Sequence, residues 1–133
     1  MRIHFVAIGG SIMHSLALVM AQRGHTVTGS DDEIYEPSRS RLAAQGLLPL
    51  ETGWHPERIH SELDIVVLGM HARADNPELL RAQELGLKVE SFPEFMYNIS
   101  QDKVRIVVAG SHGKTTTSGM IAHVLHYSGM QAD

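Results

Sequence analysis

The sequence predicts an α/β fold in which helices flank a parallel sheet. Short apolar, partly β-branched runs alternate with segments of helical periodicity along most of the chain. Strands that alternate with helices imply right-handed crossovers, which pair the strands in parallel. Hydrophobic residues make up 43% and charged residues 20% of the 133 positions, which is ordinary for a globular protein and far from a disordered one.

Turn and capping residues set the bounds of the predicted elements. The predicted strands cover residues 3–8, 25–29, 47–51, 64–68, 87–90 and 105–109. The predicted helices cover residues 13–23, 37–44, 77–86, 93–99 and 115–126. Asn76 and Pro77 are typical of a helix N-cap and a first helical position, and Gly24 is typical of the residue that follows a helix. The polar stretch 100–103 is a candidate domain boundary.

Composition excludes several classes of function. The net charge of −4 argues against sequence-independent binding of nucleic acid, which needs a strong basic excess. No apolar run approaches the ~18 residues of a membrane span, so we expect no membrane partner. The chain has no cysteine, which excludes disulfides, thiolate zinc sites and cysteine nucleophiles. These features are compatible with a cytoplasmic protein.

The first glycine turn, at residues 7–13, joins a predicted strand to a predicted helix. At such a turn the backbone N–H groups and the helix N-terminus can hold a phosphate. The dinucleotide pattern G-x-G-x-x-G would need glycine at 7, 9 and 12, but Ala7 and Ile12 depart from it, so NAD is only weakly indicated. A tight turn without any ligand is the alternative. Asp31 ends the second strand, where a carboxylate can accept hydrogen bonds from a ribose, although a solvated turn is equally compatible.

The second glycine turn is more specific. Residues 110–115 read Gly-Ser-His-Gly-Lys-Thr between a predicted strand and a predicted helix. Glycines let the backbone wrap around phosphates, Lys114 supplies positive charge to the β and γ phosphates, and the Thr115 hydroxyl is placed to coordinate Mg²⁺. The full P-loop pattern would need glycine at Val108, so the loop is a G-x-x-G-K-T variant.

Several motifs together resemble one enzyme family. Residues 110–117 resemble the G-T-H-G-K-T-T-T loop of the Mur ligases, the ATP-dependent amide ligases of bacterial cell-wall synthesis. Residues 4–10 resemble the H-x-x-G-I-G-G start of one branch of that family, with Ala7 in place of glycine. Residues 29–31 match its G-S-D, and residues 74–78 match its A-D-N-P-E. The resemblance therefore spans nearly the whole chain.

The resemblance implies a three-domain ligase of which this chain is an N-terminal fragment. Residues 1–100 would form a Rossmann-like domain that binds UDP-N-acetylmuramate, and residues 104–133 would begin the central ATP-binding domain with a strand, P-loop and helix. The residues implied for the UDP-sugar are Gly9, Gly10, Ser11, Ile12, Met13, Asp31 and Asn76. Those implied for ATP are Gly110, Ser111, His112, Gly113, Lys114, Thr115 and Thr116, with Lys114 catalytic and Thr115 on Mg²⁺.

His112 resembles the branch of the family that uses UDP-N-acetylmuramate itself as the acceptor. Two enzymes of that branch, which differ in the second substrate, are possible matches. One of its enzymes adds L-alanine to UDP-N-acetylmuramate, and another attaches the recycled tripeptide L-alanyl-γ-D-glutamyl-meso-diaminopimelate. Residues 29–38, with their aromatic-x-Pro element, and Trp54 after Gly53 are closer to the tripeptide enzyme. The resemblance implies that the muramate carboxylate is activated as an acyl phosphate, which the amine then displaces. The family's other catalytic groups lie further along, so we expect no activity from this chain alone.

Two other classes of protein remain as alternatives. A Rossmann-type regulatory module would use the first turn for a nucleotide, and an unrelated P-loop NTPase would need an acidic residue on a later strand. We also expect the last strand–helix unit either to self-associate or to fold back on the first domain, because apolar side chains such as Val107 and Val124 need burial.

Overall fold

A computed structural model of the chain describes residues 1–131. The chain divides into two compact units, of which the first spans Met1–Ile99 and the second begins at Ser100. The first unit contains a four-stranded sheet, and the second contains a helix that follows the second glycine turn.

The sheet of the first unit is parallel throughout, which confirms the predicted fold class. Its strands are β1 (Arg2–Val6), β2 (Thr26–Ser30), β3 (Ile65–Leu68) and β4 (Val89–Ser91). Their order across the sheet is β2-β1-β3-β4, so β1 lies between β2 and β3. Ile3 stands opposite Val27 on one side and Ile65 on the other. The chain therefore reverses its direction of winding beside β1, and a crevice opens there in sheets of this kind.

The helices follow the predicted pattern to within a few residues. They are α1 (Ser11–Gln22), α2 (Ser38–Ala44), α3 (Pro77–Glu84), α4 (Phe92–Ile99) and α5 (Lys114–Tyr127), with a short 3₁₀ helix at Pro56–Arg58. Asn76 caps α3 as predicted, since its side chain accepts the N–H groups of Glu78 and Leu79. No helix among residues 1–131 is long and apolar enough to cross a membrane.

Two apolar clusters form the core, and β1 contributes to both. Ile3 and Phe5 join a cluster with side chains of α1, α2 and α4, where Phe95 meets the Phe5 ring edge to face at 6.3 Å. Val6 joins a second cluster that includes Ala82 of α3. Successive side chains of a strand point to opposite faces, so the helices pack on both sides of the sheet.

Two predicted strands are wrong. Residues 47–51 are irregular and bent, and Leu50 is 98% exposed. An isolated antiparallel bridge pairs Asp31, after the end of β2, with Gly53, just beyond this stretch. Residues 105–109 are irregular, and Val107 is 86% exposed. A strand needs a neighbour for its backbone N–H and C=O groups, and within the described part of the chain none pairs with this apolar run. The predicted strand–loop–helix unit is thus only a loop and a helix.

Candidate functional site

A cleft opens at the carboxyl ends of β1, β2 and β3. Its larger cavity, of about 480 Å³, is lined by Asp31, Asp32, Trp54, His71, Arg73 and Asn76 among others. A smaller cavity of about 200 Å³ adjoins the start of α1 and is lined by Gly10, Ser11, Ile12, Met13 and Phe92 among others. Ala7 and His71 line both cavities. The first unit therefore offers a divided cleft with acidic groups in one part and a helix N-terminus in the other.

The turn after β1 is held against the end of β2. The Ser30 carbonyl accepts the N–H groups of Ala7 at 2.8 Å and Ile8 at 3.1 Å. Ala7 adopts a left-handed conformation with φ of 69°, which glycine would accept without strain. Strand β1, predicted over residues 3–8, ends at Val6 because the left-handed Ala7 turns the chain. The position where the resemblance calls for glycine is thus one where the backbone needs it.

The structure revises which N–H groups of this turn can meet a ligand. Gly9 donates its N–H to the Asp31 carboxylate at 2.8 Å, and Gly10 donates to the Ala7 carbonyl at 3.3 Å. The resemblance implied Gly9 and Gly10 for the UDP-sugar, and here their N–H groups bind within the protein. No side chain caps α1, and the first N–H groups of a helix have no acceptor inside it. The donors open to a ligand are therefore those of Ser11, Ile12 and Met13.

Asp31 is a buried carboxyl at the border of the cleft. It is 7% exposed, and besides Gly9 it accepts the backbone N–H of Asp32 at 2.9 Å. Burial raises the pKa of Asp31 to about 6, and the adjacent Asp32 carboxyl adds to the rise, although the Gly9 N–H opposes it. Asp31 consequently holds the turn together and also lines the larger cavity.

Asn76, like Asp31, makes hydrogen bonds within the protein and also lines the larger cavity. Its side-chain oxygen accepts the Glu78 N–H at 2.9 Å and the Leu79 N–H at 3.3 Å, so it caps α3. The residue is 5% exposed and lines the larger cavity. Its amide nitrogen is the part left to meet a ligand.

Sequence reasoning missed a buried polar network below the cleft. The Glu78 carboxylate accepts the His4 ring N–H at 3.1 Å and the His55 backbone N–H at 2.8 Å. The second ring nitrogen of His4 lies 2.8 Å from the Thr28 hydroxyl. Burial would raise the pKa of Glu78, but the hydrogen bonds from His4, His55 and Ser30 together lower it below its usual value. The one available signal was a histidine inside the apolar run of β1, where a polar side chain needs a partner.

The second glycine turn lies in the second unit. Helix α5 begins at Lys114, and its N-cap, Gly113, has a φ of 75° and no side-chain cap. The Lys114 ammonium donates to the Gly110 carbonyl at 2.8 Å, and the Ser111 hydroxyl lies 3.1 Å from the His112 ring. The uncapped helix start, the ammonium and the hydroxyls of Thr115 and its neighbours form a donor set that fits a polyphosphate. No cluster of three histidines and carboxylates suited to a metal occurs in residues 1–131.

Residues 2–104 match the Mur ligase family, catalytic domain. The chain belongs to the Mur ligase family. Among curated relatives of this Mur ligase chain, the UDP-N-acetylmuramate–L-alanine ligase of Carboxydothermus hydrogenoformans is 42% identical over 96% of the chain and 27% of its own length. The UDP-N-acetylmuramate–L-alanyl-γ-D-glutamyl-meso-2,6-diaminoheptandioate ligase of Escherichia coli (strain K12) is 35% identical over 97% of the chain and 28% of its own length.

Solved structures of both kinds of ligase resemble the Mur ligase chain. The murein peptide ligase of Psychrobacter arcticus 273-4 superposes with a TM-score of 0.86 at 39% identity, covering 97% of the chain and 27% of that protein. The UDP-N-acetylmuramate–alanine ligase of Thermotoga maritima gives 0.83 at 34% identity, covering 95% and 29%. The chain thus spans less than a third of the length of each of these four relatives.

Proposed function

We propose that the first unit binds UDP-N-acetylmuramate for an ATP-dependent amide ligase of peptidoglycan synthesis or recycling. The observation that carries this proposal is the divided cleft beside β1, with Asp31 in one cavity and the uncapped start of α1 in the other. The diphosphate would accept the N–H groups of Ser11, Ile12 and Met13, which the helix dipole makes favourable to anions. Asp31 and Asn76 would contact the uridine end.

The amine substrate that we propose is the tripeptide L-alanyl-γ-D-glutamyl-meso-diaminopimelate. Residues 29–38 and Trp54 support it, and Trp54 also lines the larger cavity. L-Alanine is the competing substrate, since relatives named for each reaction match the chain. The amine would add to the muramate carbonyl of the acyl phosphate and expel inorganic phosphate.

We also propose ATP and Mg²⁺ as cofactors, held by the second glycine turn. Lys114 would bind the phosphates through its ammonium and the Thr115 hydroxyl would face the metal. Bound ATP supplies the phosphoryl group that activates the carboxylate. Within this chain, Lys114 is then the group that stabilises negative charge on the phosphates.

Calorimetric titration with UDP-N-acetylmuramate tests the cleft. We expect Asp31→Ala to weaken binding at least several-fold, because a hydrogen bond to a charged group is worth ~1.5–3 kcal/mol. Asp102→Ala removes an exposed carboxylate paired with Lys103 and serves as a matched control with unchanged affinity. Equal affinities for Asp31→Ala and the unchanged protein would contradict the role of Asp31. Binding of NADH instead of the UDP-sugar would favour the regulatory-module alternative.

A second experiment tests Lys114 in the longer ligase. Lys114→Ala should abolish ligation and leave UDP-sugar affinity nearly unchanged, because we assign the two ligands to different domains. Phosphate release and calorimetry measure the two effects separately. Turnover near the normal rate would show that the phosphate-loop assignment is wrong.

A further inference from the structure

Glu78 touches three segments that each contribute a residue to the larger cavity. One carboxylate oxygen accepts the His55 N–H at 2.8 Å, and His55 follows Trp54 directly. Glu78 also accepts a hydrogen bond from Ser30, which precedes Asp31. Glu78 itself belongs to the first turn of α3, next to Asn76 and Pro77. Three residues that line the larger cavity are therefore close in sequence to this carboxylate or its partners. Asp31 follows Ser30, Trp54 precedes His55, and Asn76 lies two residues before Glu78.

The other carboxylate oxygen fastens this assembly to the middle of the sheet. It accepts the His4 ring N–H at 3.1 Å, and both side chains are fully buried. His4 lies on the central strand β1, and its other ring nitrogen reaches Thr28 on β2. Arg58 of the 3₁₀ helix adds a contact of 3.4 Å to the Ser30 hydroxyl. The network thus joins β1, β2, α3 and the segment 54–58.

A buried carboxylate is a poor choice for stability alone. Removing it from water costs several kcal/mol, and apolar side chains of similar volume often stabilise such a site equally well. An apolar side chain, however, has no acceptor for the N–H groups of His55 and His4, whereas the carboxylate accepts both. Trp54 is only half-buried against the second apolar cluster, so its position depends on how the backbone beside it is held.

We propose that Glu78 is a positioning residue for the ligand cleft. It fixes the position of Trp54, which lines the larger cavity, relative to the amino end of α3. It makes no contact with the ligand in this role and acts through the backbone at His55. The identity of the ligand rests on the proposed function, whereas the role of Glu78 in placing Trp54 does not.

The test uses Glu78→Gln in the chain as it stands. A glutamine amide replaces one carboxylate oxygen by an NH₂ donor, so either the His4 or the His55 hydrogen bond is lost unless the His4 ring changes tautomer and accepts from that NH₂. Trp54 is the only tryptophan in the sequence, so its fluorescence reports on this part of the cavity alone. We expect Glu78→Gln to keep the far-ultraviolet circular dichroism of the fold, to increase acrylamide quenching of Trp54, and to weaken UDP-N-acetylmuramate binding on the order of tenfold.

Glu84→Gln is the matched control. It makes the same change at the other end of α3, where the side chain is 68% exposed and pairs with Arg81, and it should alter neither readout. Unchanged quenching and affinity both in a folded Glu78→Gln protein and in the double variant described next, which leaves the His55 N–H without its acceptor, would overturn the proposal. If the unchanged protein does not bind the UDP-sugar, the proposed function fails, while Trp54 quenching still decides the role of Glu78.

A double variant separates positioning from stability if Glu78→Gln does not fold. His4→Leu with Glu78→Met replaces the buried pair by apolar groups of similar size, which should restore folding. The His55 N–H would still lack its acceptor, so we expect Trp54 to remain abnormally quenchable and binding to remain weakened on the order of tenfold. Normal quenching and affinity in this folded double variant would show that Glu78 serves stability only.

Discussion

Asp31 and Gly9 join the ends of the two neighbouring strands β1 and β2 through one hydrogen bond of 2.8 Å. The acceptor is a buried carboxylate and the donor is a backbone N–H of the turn that leads into α1. A charge buried at this point makes the geometry of the turn depend on the protonation of a single group. That dependence gives a prediction about stability and pH.

The free energy of unfolding of the first unit should fall as the pH rises and Asp31 loses its proton. The pKa of Asp31 is raised from 3.8 to about 6 in the folded protein, mainly by burial. Between these values the folded state holds the proton and the unfolded state does not, so stability falls as pH rises from about 4 to about 6 and is constant above. The fall should be on the order of 3 kcal/mol, because the pKa rises from 3.8 to about 6 and a pKa difference of one is worth about 1.4 kcal/mol.

Urea unfolding of Asp31→Asn and the unchanged protein across this range measures the effect. Asparagine does not titrate, so the difference in unfolding free energy between the two proteins should change between pH 4 and pH 6 and stay level above it. A difference that is constant across the whole range would contradict the raised pKa of Asp31.

Any side chain at Gly29 should destabilise the protein. A Cβ atom there would lie 2.6 Å from Ile8 Cδ1 and 2.9 Å from the Phe5 carbonyl oxygen, which is backbone and cannot move aside. We expect Gly29→Ala to lower the free energy of unfolding by about 1–3 kcal/mol, the usual cost of overpacking. At Gly10 the nearest atoms lie at 3.6 Å, so Gly10→Ala should cost less than about 1 kcal/mol. Equal losses in thermal unfolding would refute the steric explanation.

Ala7→Gly should not destabilise the protein, which is unusual for a change to glycine. Ala7 has a φ of 69°, and this conformation costs a non-glycine residue roughly 1–2 kcal/mol. The relief offsets the added entropy of the unfolded chain, which is about 0.4–1 kcal/mol. Ala43→Gly, on the exposed side of α2, is the control and should lose about 0.5–1 kcal/mol. A similar loss in both variants would mean that Ala7 is unstrained.

The second unit should associate unless the first unit covers it. Val104 is 95% exposed, and Met120 and Val124 on α5 are 65% and 64% exposed. Exposed apolar groups of this size each forgo ~1.5–3 kcal/mol of burial. We expect light scattering to show a mass that rises with concentration, and Val124→Lys to reduce the association. A monomer at all concentrations that unfolds identically with and without Val124→Lys would contradict both forms of burial.

The sheet was predictable where local pattern and long-range pairing agree. The apolar runs that became β1 and β3 are central strands, buried between neighbours, and their patterns are unambiguous. Residues 105–109 have an equally strong pattern, but a strand also requires a partner, and that requirement is invisible in a local window. Asn76 and Pro77 were predictable because capping is decided within a few residues.

The candidate site was only partly predictable for the same physical reason. Asp31 and Gly9 were each placed at the cleft by their position after a strand, but their mutual hydrogen bond joins residues 22 positions apart. The pairing of His4 with Glu78 spans 74 positions. Such contacts follow from the strand order and the crossover of α3, which the sequence alone did not determine. The ligand-binding roles of Asp31 and Asn76 stay predictions.

The His4–Glu78 network is buried below the cleft, and this placement has a practical consequence for protein engineering. The side chains of this network bind one another, whereas His71 and Arg73 line the larger cavity and make none of these hydrogen bonds. The cavity can therefore be re-lined at His71 and Arg73 while the supporting framework is left intact. A library confined to these two positions would vary the lining of the cleft on an unaltered scaffold, and Trp54 fluorescence would report which ligands the variants bind.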